Sequence, residues 1–150
     1  MNFDGKTIIV TGAGGGIGEV YARGCARQGM NVVVAELSQG QGTSVADSIN
    51  EEGGKAIFQE TDVADEESAR SCVERTKNAF GKVDFLINNA AIFADMRIEG
   101  YLTVDLDYLE NFMRVNAHGA LIMTRAVLET MSSGGGGAII NQSSTAAWMG

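Results

Sequence analysis

A glycine-rich turn is the feature of this 150-residue sequence that most strongly indicates chemistry. It follows a short β-branched run and opens a helical pattern, so backbone N–H groups and the positive end of a helix dipole would meet there, as an anionic phosphate requires. We predict that Gly12 makes the tight turn, Gly16 lets the backbone approach a pyrophosphate, and Gly18 lets the helix pack closely on its strand. The predicted phosphate-binding residues are Gly12, Gly14, Gly15, Gly16, Ile17 and Gly18.

The glycine turn has two competing interpretations, and its context decides between them. A flexible turn would also be rich in glycine, but the position between a strand and a helix is typical of a dinucleotide site. The turn lacks a Gly-Lys-Ser/Thr ending, which argues against a nucleotide hydrolase of the P-loop class.

Polar residues also follow each of the other predicted strands. They are Glu36, Asp62, the pair Asn88 and Asn89, and the pair Ser143 and Ser144. Because ligands of open parallel sheets bind outside the carboxyl ends of the strands, we expect all of them to border one site. Glu36 can accept hydrogen bonds from both ribose hydroxyls of an adenosine and would repel a 2′-phosphate. No Lys or Arg lies between Gly29 and Lys55 to bind that phosphate, so the sequence predicts NAD(H) rather than NADP(H).

Two further positions leave their alternatives open. Asp62 is either an acceptor for the adenine amino group, with Val63 against the ring, or an ordinary turn aspartate. Asn116 lies within an apolar helical stripe, and a buried Asn must be hydrogen-bonded. It is either a core residue satisfied by a neighbouring carbonyl or a residue that holds a water or the backbone near the site. His118 is expected to be a surface histidine.

A strict alternation of strand and helix patterns must position these residues. Apolar runs predict strands at 7–10, 31–35, 56–59, 83–87 and 138–141, and amphipathic stripes predict helices at 17–28, 41–52, 65–81 and 107–131. Strands that are apolar nearly throughout indicate a parallel sheet covered on both faces. We therefore predict a Rossmann-type, doubly wound α/β/α fold of three layers, forming a single domain over residues 1–150.

Composition excludes several other classes of protein. The chain carries 19 acidic and 11 basic residues, a net charge of −8, which disfavours nucleic-acid binding. No apolar run approaches the roughly 18 residues of a membrane span, and no secretory signal pattern is visible. Two isolated cysteines and a single histidine argue against a disulfide framework and a zinc site. We expect a cytoplasmic protein without nucleic-acid, membrane or metal partners.

Together, these motifs resemble those of the classical short-chain dehydrogenase/reductase family. The matching segments are Thr11-Gly12-x-x-x-Gly16-x-Gly18, Asp62-Val63, Asn88-Asn89-Ala90-Ala91, Asn116 and the run from Ile139 to Ser144. Ala91 stands where the family has Gly, a change between two small residues. The resemblance implies an NAD-dependent enzyme that moves a hydride between nicotinamide and an alcohol or ketone carbon. It also implies that Asn89 and Ala90 contact the cofactor and that Ser144 and Asn116 are catalytic.

One part of the family pattern is missing from the 150 residues. The family's acid/base pair is Tyr-x-x-x-Lys, placed after the serine and here beyond Gly150. Tyr21, Tyr101 and Tyr108 have no Lys four residues later. We therefore interpret the chain as the cofactor-binding portion of a longer enzyme, inactive by itself. The alternative is a non-catalytic NAD-binding regulatory module.

Apolar residues after two strands are candidates for a substrate pocket. Phe93, Trp148 and Met149 would line it and favour a hydrophobic alcohol or ketone, although ordinary loop hydrophobics are the competing interpretation. The long fourth helix often forms a subunit interface in the family, so the resemblance also implies a homo-oligomer, either a dimer or a tetramer.

Overall fold

Parallel strands form the centre of the computed structural model, which describes residues 2–94, 96–100 and 102–144. Within these residues five strands pair in the order β3-β2-β1-β4-β5, each parallel to its neighbours. The strands are β1 (Thr7–Thr11), β2 (Asn31–Glu36), β3 (Lys55–Glu60), β4 (Phe85–Asn88) and β5 (Ala138–Asn141). The helices are α1 (Gly16–Arg27), α2 (Gln39–Glu51), α3 (Glu66–Phe80), α4 (Leu106–Met113) and α5 (Gly119–Ser133).

The sheet carries a separate core on each face. Side chains alternate along a strand, so Ile8 and Val10 of β1 point into one core and Ile9 into the other. The first core packs against α1 and α2, and the second against α3 and α5. All five residues of β1 are buried, because helices cover both faces of the sheet. This burial explains why the β1 sequence is apolar nearly throughout. The predicted Rossmann-type fold of three layers is confirmed.

The third helix illustrates how local sequence fixes an element. Asp65 precedes it, and the Asp65 carboxylate accepts a hydrogen bond from Ser68 N at 2.7 Å. Gly81 ends it in the left-handed conformation at φ 84°. Both predicted signals are confirmed, and the bounds of the other predicted elements before α4 differ from the observed ones by two residues or fewer.

The predicted long helix over residues 107–131 is present, but it is not α-helical throughout. A π-helical segment, Arg114–His118, separates α4 from α5. Apolar residues continue across the segment, so their spacing did not reveal the wider turn. No helix in the described part of the chain is long and apolar enough to cross a lipid bilayer.

At the opposite edge of the sheet from the predicted site, a carboxylate joins β1 to the segment before β4. Asp84 accepts hydrogen bonds from Thr7 N at 2.9 Å, Lys82 Nζ at 2.7 Å and Lys6 Nζ at 3.3 Å. Burial alone would raise the pKa of Asp84, but the hydrogen bonds from Lys82, Thr7 and Lys6 lower it below its ordinary value. The Asp84 carboxylate thus ties the start of β1 to the start of β4 and fixes how the two strands align.

Candidate functional site

The glycine turn between β1 and α1 is packed so closely that side chains do not fit at two positions. Gly12 has φ 63°, and a Cβ there would lie 2.8 Å from Ala90 Cα. A Cβ on Gly18 would overlap the carbonyl oxygen of Gly12. The first turn of α1 therefore lies directly against the end of β1, as the sequence predicted for Gly18.

The N-terminus of α1 presents exposed backbone. Gly15, the residue before the helix, makes no side-chain cap, and Gly15, Gly16 and Ile17 are all exposed. Gly16 has φ 55°, and a Cβ at this position would meet no atom of the described chain within 4 Å. The helix dipole and the first N–H groups of α1 thus face open space at the carboxyl edge of the sheet, where an anionic group fits.

Glu36, the last residue of β2, is held against the glycine turn. One carboxylate oxygen accepts a hydrogen bond from Gly14 N at 3.1 Å. The other accepts from Leu37 N at 2.9 Å and Ser38 N at 3.1 Å. A carboxylate has about four acceptor positions, so this one can still accept from a ligand hydroxyl. Its orientation is fixed by three backbone donors before any ligand arrives.

Thr11 and Asn89 link the glycine turn to the end of β4. The Thr11 hydroxyl donates to Ile87 O at 3.3 Å and accepts from Asn89 N and Ala90 N, each at 3.0 Å. The side-chain amide of Asn89 donates to Thr11 O at 3.0 Å and to Gly12 O at 3.2 Å. Asn89 therefore holds the turn in place, and its amide nitrogen is occupied by protein acceptors. The implied contact of Asn89 and Ala90 with a cofactor stays a prediction.

The two candidate residues after β3, Asp62 and Val63, differ in their accessibility. Asp62 is half-buried, and its Oδ1 accepts a hydrogen bond from Ala64 N at 2.9 Å. The Val63 side chain is 7% exposed and lies in the core, where Gly119 of α5 packs against it. The expected packing of Val63 on an adenine ring therefore gains no support from its position. The binding role of Asp62 stays a prediction.

Asn116 lies in the π-helical segment and forms a paired contact with the loop after β4. Its Oδ1 accepts from Ile92 N at 2.8 Å, and its Nδ2 donates to Ile92 O at 3.2 Å. These bonds fit both alternatives, because a neighbouring carbonyl satisfies the half-buried Asn116 and the same contact holds the backbone of the loop. The catalytic role of Asn116 stays a prediction. His118 is exposed, as expected.

The segment after β5 brings Ser143 and Ser144 to the same edge of the sheet. Gln142 N donates to Asn88 O at 2.9 Å, which continues the pairing of β4 with β5. The hydroxyl of Tyr21, on α1, donates to Gln142 Oε1 at 2.6 Å. The residue adjacent to the two serines is thus tied both to β4 and to the helix that follows the glycine turn.

Only one of the three predicted substrate-pocket residues, Phe93, lies among the described residues. Phe93 is 73% exposed in the loop after β4, on the carboxyl side of the sheet. Trp148 and Met149 lie outside the described residues, so their role stays a prediction.

The sequence did not predict the long-range contacts that three residues make at this edge, although Thr11 is part of the glycine motif. The hydroxyl of Thr11, the hydroxyl of Tyr21 and the guanidinium of Arg114 each contact a segment far away in the chain. Arg114 Nη2 donates to Ala64 O at 3.2 Å. A strand-end threonine, a helical tyrosine and an exposed arginine carry no local signal for such contacts. Only the three-dimensional arrangement identifies them.

Comparisons with known proteins give a consistent result. The family model described as short chain dehydrogenase matches residues 6–150. An uncharacterized oxidoreductase of Mycobacterium tuberculosis is 52% identical over 147 residues, covering 98% of this chain and 59% of the relative. An L-rhamnose 1-dehydrogenase (NAD(P)+) of a Sphingomonas species is 37% identical over 149 residues, covering 98% and 58%. The chain thus spans less than two thirds of the length of these relatives.

Solved structures match the fold closely. A short-chain type dehydrogenase/reductase from Mycobacterium marinum superposes with a TM-score of 0.91 at 29% identity, covering 98% of this chain and 60% of that protein. A 7α-hydroxysteroid dehydrogenase, solved with NADH and 7-oxo glycochenodeoxycholic acid, gives a TM-score of 0.90 at 30% identity, with coverage of 98% and 57%.

Proposed function

The chain belongs to the short-chain dehydrogenase family, and from this premise we propose that its protein is an NAD(H)-dependent oxidoreductase of secondary alcohols or ketones. The observation that carries the choice of cofactor is the position of Glu36. Its carboxylate is bonded to Gly14 N inside the glycine turn, next to the open N-terminus of α1. A pyrophosphate at that N-terminus would bring the adenosine ribose of a dinucleotide to this carboxylate.

Charge supports NAD(H) over NADP(H). A 2′-phosphate would add about two negative charges beside Glu36. No Lys or Arg lies between Gly29 and Lys55 to neutralise them. The L-rhamnose 1-dehydrogenase among the relatives is named for both NAD and NADP, so the family alone does not decide the cofactor. Glu36 favours two ribose hydroxyls over a phosphate.

The residues around the turn fit a bound dinucleotide. The first N–H groups of α1 would hold the pyrophosphate, Glu36 the adenosine ribose, and Asp62 the adenine amino group. Asn89 and Ala90, at the end of β4, would border the nicotinamide ribose. When bound, the cofactor supplies the hydride acceptor or donor.

The chain's own residues would orient the substrate. The hydroxyl of Ser144 would donate a hydrogen bond to the substrate oxygen, and Asn116 would keep the Ile92 backbone in position beside it. Phe93 would offer apolar surface to the substrate, together with Trp148 and Met149. The acid/base pair of the family is not among these 150 residues, so hydride transfer is proposed for the whole protein.

A fluorescence titration with NADH and NADPH tests the cofactor directly. We expect saturable NADH binding and at least tenfold weaker NADPH binding. A panel of hydrophobic secondary alcohols and ketones, followed by NADH absorbance, then tests for turnover. Equal affinity for the two cofactors would contradict the role of Glu36, and absence of binding to either would contradict the proposed function.

The second candidate is a non-catalytic NAD-binding module. It would use the same exposed N-terminus of α1 and the same Glu36 carboxylate to bind NAD. The two functions differ in the panel: the module binds NADH without consuming it with any substrate. Saturable NADH binding with no turnover across the panel in the whole protein would favour the module.

We also propose that the protein is a cytoplasmic homo-oligomer. Apolar side chains on α4 and α5 stay exposed in the single chain, namely Leu109, Met113, Leu121 and Leu128. An exposed apolar stripe of this kind is typical of a subunit interface. Light scattering of the purified protein would give the mass, and a monomer at micromolar concentration would contradict the proposal.

A further inference from the structure

The π-helical segment Arg114–His118 contacts two separate loops at the carboxyl edge of the sheet. Asn116 binds the Ile92 backbone, which belongs to the loop after β4. Arg114 binds Ala64 O, which belongs to the loop after β3. These residues are two apart in sequence, yet they reach loops on different sides of the site. The segment therefore spans the gap between the adenine side and the catalytic side of the proposed site.

The contact of Arg114 leads directly to Asp62. The Ala64 carbonyl accepts from Arg114 Nη2 at 3.2 Å, while the Ala64 N–H donates to Asp62 Oδ1 at 2.9 Å. One residue thus joins the guanidinium to the carboxylate through its two backbone groups. A donor that is charged makes a stronger hydrogen bond than a neutral one, so the Arg114 bond helps to fix the Ala64 residue.

A second contact holds the same loop from the first residue of α5. Gly119 packs so closely on Val63 that a Cβ there would lie 2.7 Å from Val63 Cγ2. Arg114 and Gly119 therefore hold the loop 62–64 at two neighbouring residues. The loop is also held from the start of α3, because Asp62 N donates to Ser68 Oγ at 2.9 Å and Asp65 N donates to Asp62 O at 3.2 Å.

We propose that Arg114 is a positioning residue for the adenine side of the cofactor site, acting through the loop 62–64. The proposal rests on the proposed NAD(H) function. In this role, loss of the Arg114 bond lets Ala64 shift, and ligand binding then has to fix the Asp62 carboxylate again. Arg114 touches no ligand atom in this role, and its effect is confined to ligands that carry adenosine.

The test is the Arg114→Met variant of the full chain, with NADH followed by fluorescence and ADP-ribose by competition. We expect affinity for both ligands to fall by about three- to tenfold, since the lost hydrogen bond is made by a charged donor. The Arg114→Lys variant keeps a cationic donor and should lose less. Arg125→Met, an exposed arginine of α5, is the matched control and should bind both ligands like the wild type.

A double-mutant comparison separates positioning from general stability. If Arg114 acts through Asp62, Arg114→Met should add little further loss of affinity in an Asp62→Ala background. Full additivity of the two losses would overturn the proposal. So would a lower melting temperature of Arg114→Met with unchanged affinity for NADH and ADP-ribose. Failure of the wild type to bind NADH would instead overturn the proposed function, on which this role depends.

Discussion

The two sides of the candidate site are held by different means. Around the glycine turn, the hydrogen bonds from Asn89 are joined by backbone packing so close that Gly12 and Gly18 have no room for a Cβ. Around the loop after β4, the positions are set by side chains that bond to distant backbone, such as Asn116 to Ile92. Close packing that requires glycine produces a recognisable glycine spacing in the sequence, whereas a long-range hydrogen bond produces no local pattern. The first side was therefore predictable and the second largely was not.

The largest expected effect comes from adding one methyl group to the glycine-turn side. Gly18→Ala would place a Cβ on the carbonyl oxygen of Gly12, so α1 has to move away from β1. We expect NADH affinity to fall at least about a hundredfold, since displaced N–H groups no longer converge on the pyrophosphate. Titration by fluorescence measures the affinity, and thermal unfolding measures the cost to the fold.

A glycine of the same helix provides the control for that change. A Cβ on Gly24 would meet no atom of the described chain within 4 Å. Gly24→Ala should therefore stabilise the protein by about 0.5–1 kcal/mol and leave NADH affinity unchanged. Equal behaviour of the two variants would show that close packing at the turn does not matter for binding.

On the other side, the Asn116→Ala variant removes both hydrogen bonds to Ile92. We expect the free energy of unfolding to fall by about 1–2 kcal/mol, because the N–H and carbonyl of the half-buried Ile92 lose their partners. Urea denaturation measures this loss. Asn111→Ala, at an exposed position of α4, should change stability by less than about 0.5 kcal/mol. Similar losses in both variants would remove the special role of Asn116.

A substitution of Glu36 tests whether the glycine-turn side also sets the preference between NADH and NADPH. The Glu36→Ala variant removes the carboxylate that would repel a 2′-phosphate, so the ratio of NADH to NADPH affinity should fall by about tenfold. Glu60, opposite Glu36 in the parallel register of β2 and β3, is the matched control. Glu60→Ala should change the ratio little, and an equal change in both variants would indicate general charge rather than a specific contact.

The smallest effect is expected at Asp84, at the opposite edge of the sheet. Its pKa is lowered in the folded protein, so its contribution to the free energy of unfolding is complete well above pH 3.8 and is lost as the pH falls through the lowered pKa. Two of its partners are lysines at the protein surface, which limits the size of the contribution. Urea denaturation between pH 6 and pH 3 should show a flatter acid decline for Asp84→Asn. Parallel declines in the two proteins would contradict this assignment.

Much of the fold followed from the sequence because local physics specified it. The strands of the sheet centre are buried on both faces, so each reads as an apolar run. Asp65 and Gly81 mark the two ends of α3 through well-known capping preferences. The doubly wound arrangement then follows from the right-handed crossover of parallel strands.

The π-helical segment within the helix after β4 could not be predicted in the same way. Its apolar stripe continues across Arg114–His118, so periodicity alone indicated one long helix. The helix contacts Ile92 through Asn116 and Val63 through Gly119, and both partners lie far away in sequence. The burial of the Val63 side chain was likewise not predicted, and its contact with a cofactor stays a prediction.

The central claim is that the exposed N-terminus of α1 and the carboxylate of Glu36 together hold a dinucleotide. A crystal structure of the protein with NADH tests this most directly. We expect the pyrophosphate within hydrogen-bonding distance of the first backbone N–H groups of α1, and the hydroxyls of the adenosine ribose on Glu36. A pyrophosphate bound elsewhere, or a ribose that makes no contact with Glu36, would contradict it.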